Sequence, residues 1–287
     1  MPRTIDEGFR DFLTKLTPSS YESEAAKKHR KSIEQCLKNK FNLRRFWRIG
    51  SFGNGTSISG HSDTDYMASM GDITENSNVY LQKLKNGLAD RFPNTGVTVR
   101  CPAVKVPFGR LAKETIEVVP GDLRSTKPYY TYNIPNCTGG WMKTSPDAHN
   151  AYVQEVNSEY SSRVKPLIRY IKAWKYYRSV PISSFYLEMR VAKYCQGESS
   201  IIYPLDIEYF LRRMLRGELR KIQDPAGVSG YISPCSSPAK HDDAMSKLKT
   251  AVTRAENANR AKDDDDIKTA FEWWNKLYYY EFPSYYK

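Results

Sequence analysis

Apolar positions recur with helical period from the start of the chain: Ile5, Phe9, Phe12, Leu13 and Leu16 fall on one face, and Thr17-Pro18-Ser19-Ser20 ends that helix. Ser19 or Ser20 can cap a second helix running to about Lys40, with Ile33, Cys36 and Leu37 on its buried side. The pattern then changes. A short apolar run (Phe46, Trp47, Ile49) breaks at a glycine-rich turn, and Asp63 to Met70 alternates like a strand. Val79 to Phe92 predicts a helix stopped by Pro93. Val97–Phe108 and Thr115–Val119 read as strands, the second closed by Pro120-Gly121. After Thr144-Ser145-Pro146 the chain becomes helical. Val164, Leu167, Ile168, Ile171 and Trp174 form one apolar stripe, and Lys165, Arg169, Lys172 and Tyr176 a neighbouring, mainly basic one. Further helices are predicted over Ile207–Leu219, over about 241–260, and along Ile267, Ala270, Phe271, Trp274 and Leu277. The fold class is α+β: an α/β first half and an α-helical second half.

Length and composition refine this picture. A chain of 287 residues allows two domains, placed at 1–150 and 151–287. No window approaches the roughly 18 apolar residues of a membrane span. The opening MPRTIDEGFRDF carries charge where a signal peptide needs an apolar core, which predicts a cytoplasmic protein with no membrane partner. Five scattered cysteines without a CxxC pair predict free thiols, and neither a zinc site nor a disulfide scaffold. The formal net charge of +12 favours anionic partners, either nucleotides or nucleic acid. Eight basic residues between Lys27 and Arg45 form either a solvated helix face or a phosphate-facing surface. Asp263 to Asp266 resembles a metal cluster, but four carboxylates ahead of an apolar helix serve as an N-cap and complement the helix dipole.

The candidate chemistry lies in Gly50-Ser51-Phe52-Gly53-Asn54-Gly55-Thr56 and the following Ser62-Asp63-Thr64-Asp65-Tyr66. Closely spaced glycines let backbone N–H groups approach an anion, and Ser51 adds a hydroxyl donor. Asp63 and Asp65 are two apart on a predicted strand, so both side chains leave one face, roughly 7 Å apart at Cα. Two carboxylates on one face repel unless a cation lies between them, and Mg²⁺ is the natural one where phosphates complete its coordination. A third carboxylate is needed to hold two metals for displacement at phosphorus. Glu117 supplies it, because its neighbours Ile116 and Val118 are apolar and face the other way.

These residues resemble a known family. GSFGNGTSISGHSDTDY is similar to the Gly-Ser motif and metal-binding DxD of the polymerase β-like nucleotidyltransferase superfamily, and IEVVPGD at 116–122 to its third-carboxylate strand. Trp141, Pro146 and His149, PLIRYIKAWK at 166–175, ISSFYLE at 182–188, the Asp-Pro-x-Gly loop at 224–227 and the closing WWNKLYYYEFP resemble the helical half of the CD-NTases. These are bacterial relatives of cyclic GMP-AMP synthase and oligoadenylate synthetase. The resemblance spans about residues 45 to 283, with one departure: the third acidic position, more often Asp, is Glu117.

The resemblance implies a polymerase β-like core, with a mixed sheet and flanking helices, closed by a C-terminal helical lobe. It implies a metal-dependent enzyme, using two Mg²⁺ ions or Mn²⁺, that joins NTP substrates such as ATP and GTP into a cyclic di- or trinucleotide, releasing pyrophosphate, in antiphage signalling. Asp63, Asp65 and Glu117 would be the catalytic metal ligands. Gly50 and Ser51 would contact the donor triphosphate, Lys172 would reach its tail with Ser184 beside it, and Phe185 would either stack on a base or belong to the core. His149 and His61 are read as structural, and the tyrosines at 278–280 as packing between lobes. The implied partners are a nucleic-acid or protein activator and a separate cyclic-nucleotide receptor. A linear oligonucleotide or RNA nucleotidyltransferase, and an inactive nucleic-acid sensor, are the rival readings.

Overall fold

The computed structural model describes residues 4–18, 24–61, 64–71, 73–109 and 114–286. The chain opens with α1 (Ile5–Leu16), whose start is fixed by a reciprocal cap in which Glu7 N–H donates to Thr4 Oγ1 and Thr4 N–H to Glu7 Oε2. Next come α2 (Glu24–Phe41), β1 (Leu43–Arg48), the single turn α3 (Gly50–Gly53), β2 (Thr64–Met70) and α4 (Ser77–Arg91). A hairpin of β3 (Thr98–Arg100) and β4 (Ala103–Phe108) precedes the long β5 (Glu114–Ser125), which is followed by β6 (Thr131–Pro135) and β7 (Trp141–Thr144). These strands make one mixed sheet in the order β1-β2-β5-β4-β3, with β6 on the C-terminal end of β5 and β7 beyond it. β2 and β5 pair in parallel, and the other pairings are antiparallel.

One sheet face carries Tyr66, Ala68, Met70, Val104, Val106, Ile116 and Val118, which pack against Ile33 and Leu37 of α2 and Leu81, Leu84 and Leu88 of α4. The alternation that points these residues into the core turns Asp65 and Glu117 to the opposite face. There, Ile49, Met67, Ala103, Val119 and Ile134 form only a small apolar patch, so that face stays open to a site.

The second half is helical: α5 (Pro146–Glu159), α6 (Val164–Tyr177), α7 (Ser184–Cys195), α8 (Tyr203–Arg216), the short pair β8 (Ile222–Gln223) and β9 (Tyr231–Ile232), α9 (Pro238–Asp263) and α10 (Ile267–Leu277). The apolar stripe of α6 is wholly buried in the core of this half. α1 joins that core through Ile5, Phe9, Phe12 and Leu16, although it lies before the sheet in sequence. Asp266 caps α10, accepting from Thr269 N–H at 3.1 Å, as the acidic run predicted. No described helix is long and apolar enough to cross a membrane.

Several expectations are corrected. β5 does not stop at Pro120-Gly121, because both residues pair with β2 and Asp122 then pairs with β6. Gly121 leaves room there for the Met67 side chain, whose Sδ would lie 2.7 Å from an added Cβ. Cys101 and Cys137 are joined in a disulfide: the β3–β4 and β6–β7 turns bring them to a Cα–Cα distance of 5.6 Å across 36 residues. Cys36, Cys195 and Cys235 remain thiols. Tyr278 lies in the helical core, while Tyr279 and Tyr280 are exposed, so these tyrosines do not pack between lobes. Four of the eight residues of the basic run are in ion pairs: Lys27–Glu24, Lys38–Glu34, Lys40–Asp90 and Arg45–Asp147. Ser19 and Ser20, the expected cap of α2, lie outside the described residues.

Candidate active site

The turn after β1 is built against β2. Ile49 N–H donates to the Asp65 carbonyl at 2.9 Å, and Gly50 then turns the chain with φ +59°. A Cβ on Gly50 would lie 2.4 Å from Asp65 Oδ2, so the carboxylate rests directly against the glycine backbone. Only glycine meets both demands, the left-handed φ and the absent side chain. Gly50→Ala is expected to displace Asp65 and lower turnover by about a hundredfold. Pyrophosphate release by the purified variant, alongside its thermal unfolding midpoint, checks this; wild-type turnover would contradict it. Ser51 is buried within the same turn, and its carbonyl accepts from Thr56 N–H at 2.8 Å.

Glu117 stands opposite Asp65 in the parallel β2–β5 register. Partners in register share a face, so two of the three predicted carboxylates are side by side beneath the Gly50 turn. Arg100 Nη1 donates to Glu117 Oε1 at 3.0 Å, and Lys105 is its partner on β4. Asp63, the third predicted carboxylate, lies outside the described residues.

The loop beyond the turn is held by one carboxylate that the sequence reading missed. Glu188 of α7 is buried and accepts from Asn54 Nδ2 at 2.9 Å, Thr56 Oγ1 at 2.8 Å and Lys172 Nζ at 2.6 Å. Lys172 also donates to the Thr56 carbonyl at 3.0 Å and is fully buried. Arg169 Nε reaches the Ser57 carbonyl at 3.2 Å, so the basic stripe of α6 packs against residues 55–57. A Glu inside the apolar run Tyr186, Leu187 and Met189 was the available signal.

The expected pairing of Lys172 with Ser184 is therefore corrected. The lysine at Ser184 is Lys175, one turn further along α6, whose Nζ donates to Ser184 Oγ at 2.7 Å. Tyr176 OH lies 3.2 Å from the same hydroxyl. Burial pushes the Lys175 pKa down to about 8; the charges of Lys172 and Arg100 act in the same direction, and Glu188 opposes them. Phe185 is half-buried, with its ring edge-on to His149 at 4.8 Å, where it packs on the helical core. His149 is structural: its Nε2 lies 2.9 Å from buried Asp224 Oδ2. Burial alone would raise the Asp224 pKa, but hydrogen bonds from His149, Ser229 and Ala226 outweigh it and hold the group well below the carboxylate range. His61 packs on Tyr176 and Tyr177.

The mixed sheet, its Gly-Ser turn and the helical half set against them are the polymerase β-like nucleotidyltransferase fold that the sequence resemblance implied. A model of the Second Messenger Oligonucleotide or Dinucleotide Synthetase domain matches residues 3–157, more than half of the chain. The chain belongs to that family and is a cyclic nucleotide synthase. It is 26% identical to a probable cyclic nucleotide synthase of Bacillus cereus (strain VD146), over 81% of this chain and 74% of that protein. It is 24% identical to the cyclic AMP-AMP-AMP synthase of Acinetobacter sp. (strain ATCC 27244 / 9458), over 98% of this chain and 86% of that one. Among solved structures it is similar to CdnC of E. coli MS115-1 with ATP, at a TM-score of 0.75 and 18% identity, covering 97% of this chain and 98% of that one.

Proposed function

We propose that this enzyme joins NTPs in the space between the sheet and the helical half, forming a cyclic di- or trinucleotide and releasing pyrophosphate. The observation that carries this is the in-register placement of Asp65 and Glu117 beneath Gly50. The donor set fits a hard divalent cation, since it consists of adjacent carboxylate oxygens with no soft ligand. Asp65, Glu117 and, by sequence, Asp63 would hold it. Bound Mg²⁺ or Mn²⁺ supplies Lewis acidity at phosphoryl oxygens and lowers the pKa of the attacking sugar hydroxyl.

The protein's own residues do the positioning. The Gly50 turn lets the donor phosphates approach the backbone beside Asp65, and Ser51 lies in that turn. Lys175, held by Ser184, supplies charge to the triphosphate as the bond from the α-phosphorus to the pyrophosphate oxygen breaks and the bond to the sugar hydroxyl oxygen forms. Lys175 is protonated below about pH 8 and loses its charge above it. KM for ATP is therefore expected to rise between pH 7 and pH 9, and Lys175→Arg to flatten that rise. A steady-state pH series on both proteins checks this; identical profiles would remove Lys175 from the triphosphate site.

Antiphage signalling is the setting in which we read this product, acting through a receptor on another chain. CdnC of E. coli MS115-1 has been solved in complex with HORMA-deltaN, and a protein or nucleic-acid activator is the further partner we read for this enzyme. The test of the proposed reaction is incubation with all four NTPs and Mg²⁺ or Mn²⁺, followed by phosphatase treatment and mass spectrometry. A phosphatase-resistant product without terminal phosphates supports cyclisation and names the bases. Linear products alone would overturn it.

A further inference from the structure

On α7, Glu188 faces the glycine loop, and Arg190, two residues on, lies about 200° around the helix axis. Arg190 lines a concave site of about 650 Å³ on the other side of α7 from that loop. Arg213 and Arg216 enter it from the last turn of α8, and Arg220 from the segment that follows. Two of the groups meet at Gly217: a Cβ there would be 3.3 Å from Arg190 Nη2 and 3.5 Å from Arg220 Nε. Among the described residues, none of these four arginines has a carboxylate within ion-pair distance, although Glu198 also lines the site. Arg212 differs, because it is paired with Glu208 and Glu256.

Cations at a helix C-terminus complement its dipole, which accounts for Arg213 and Arg216. It does not account for Arg190 and Arg220, which arrive from outside the helix and meet like charge. Burial pushes the Arg190 pKa down, Tyr186 opposes this, and the charges of Arg220 and Arg213 add to the effect of burial. Four arginines without ion-paired carboxylates among the described residues line one concavity, two of them meeting at Gly217, and their planar forks match phosphate oxygens. Tyr209, 46% exposed, offers a ring on the same wall, and the volume falls in the range of small-molecule sites.

We propose that this pocket is a second nucleotide site, separate from the catalytic space, which binds a nucleoside polyphosphate through Arg190, Arg213, Arg216 and Arg220. A concavity of this volume suits a free nucleotide, whereas a nucleic-acid backbone needs an extended track. α7 carries Glu188 toward the catalytic loop and Arg190 into this pocket, so one rigid helix is shared by the two sites.

The test is equilibrium titration with adenosine 5′-(α,β-methylene)triphosphate, which cannot be turned over, on the wild type and on Arg213→Gln with Arg220→Gln. Both arginines are exposed, so these changes spare the fold. The wild type is expected to show one site that the double variant binds at least about tenfold more weakly, while the remaining sites keep their affinity. That site should persist in Asp65→Asn. Photolabelling by 8-azido-ATP of the segment around Tyr209, lost in the double variant, provides a second readout. Equal site numbers and affinities in both proteins would overturn the proposal. So would a 20-nucleotide RNA whose binding falls in the double variant while the nucleotide titration does not change, because that assigns the pocket to nucleic acid.

Discussion

Asp65→Asn is expected to lower pyrophosphate release by roughly a thousandfold while leaving the thermal unfolding midpoint close to that of the wild type. The substitution keeps the shape of the side chain and removes its charge, at the point where Gly50 and Glu117 meet it. The backbone bond that fixes the turn, Ile49 N–H to the Asp65 carbonyl, is untouched. Glu117→Gln should act similarly, because it changes the in-register partner while keeping a group that can accept from Arg100. Single-turnover assays with Mg²⁺ and with Mn²⁺ measure the loss directly. Turnover within a factor of ten of wild type in both variants would remove the carboxylate pair from the chemistry.

The second large effect is on stability. Glu188→Ala takes the shared acceptor away from Lys172, Asn54 and Thr56 at a buried position. Breaking a buried ion pair from one side costs about 3–5 kcal/mol, because the remaining charge stays desolvated. Chemical denaturation should show a loss of that order, and turnover should fall with it as the Gly50–Ser57 segment loses its anchor. The same geometry separates two roles for Lys172. If it acts as a brace, Lys172→Met destabilises the fold by a comparable amount. If it reaches the triphosphate, the variant keeps its stability and shows only a raised KM for ATP.

Much of this arrangement could be read from residue patterns. Alternation around Glu117 placed Ile116 and Val118 in the core and the carboxylate on the opposite face, as observed. The two stripes of α6 were also visible, and the basic one lies on the glycine loop. What the pattern could not resolve was the choice between Lys172 and Lys175. They are three residues apart on one helix, and periodicity places them on neighbouring faces without saying which neighbour is a buried Glu and which a Ser. Turn signals misled at Pro120-Gly121, where pairing to β2 and then β6 overrides local preference. The Cys101–Cys137 bond joins two turns whose proximity depends on the whole sheet, and spacing along the chain carries no trace of it. The core that receives α1 was not legible for a related reason. Its amphipathic face specifies burial but not which core receives it.

The placement of α1 bears on where the two halves are joined. α1 lies in the core of the helical half, and the loop after β1 reaches the same core: Ile58 enters it, Ser59 N–H donates to the Leu16 carbonyl at 2.8 Å, and Asn54, Thr56 and Lys172 meet on Glu188. The sheet and the helical half are thus clasped at the very stretch that follows Gly50 and Ser51. A change that loosens the helical half is felt at that turn without first passing through the sheet.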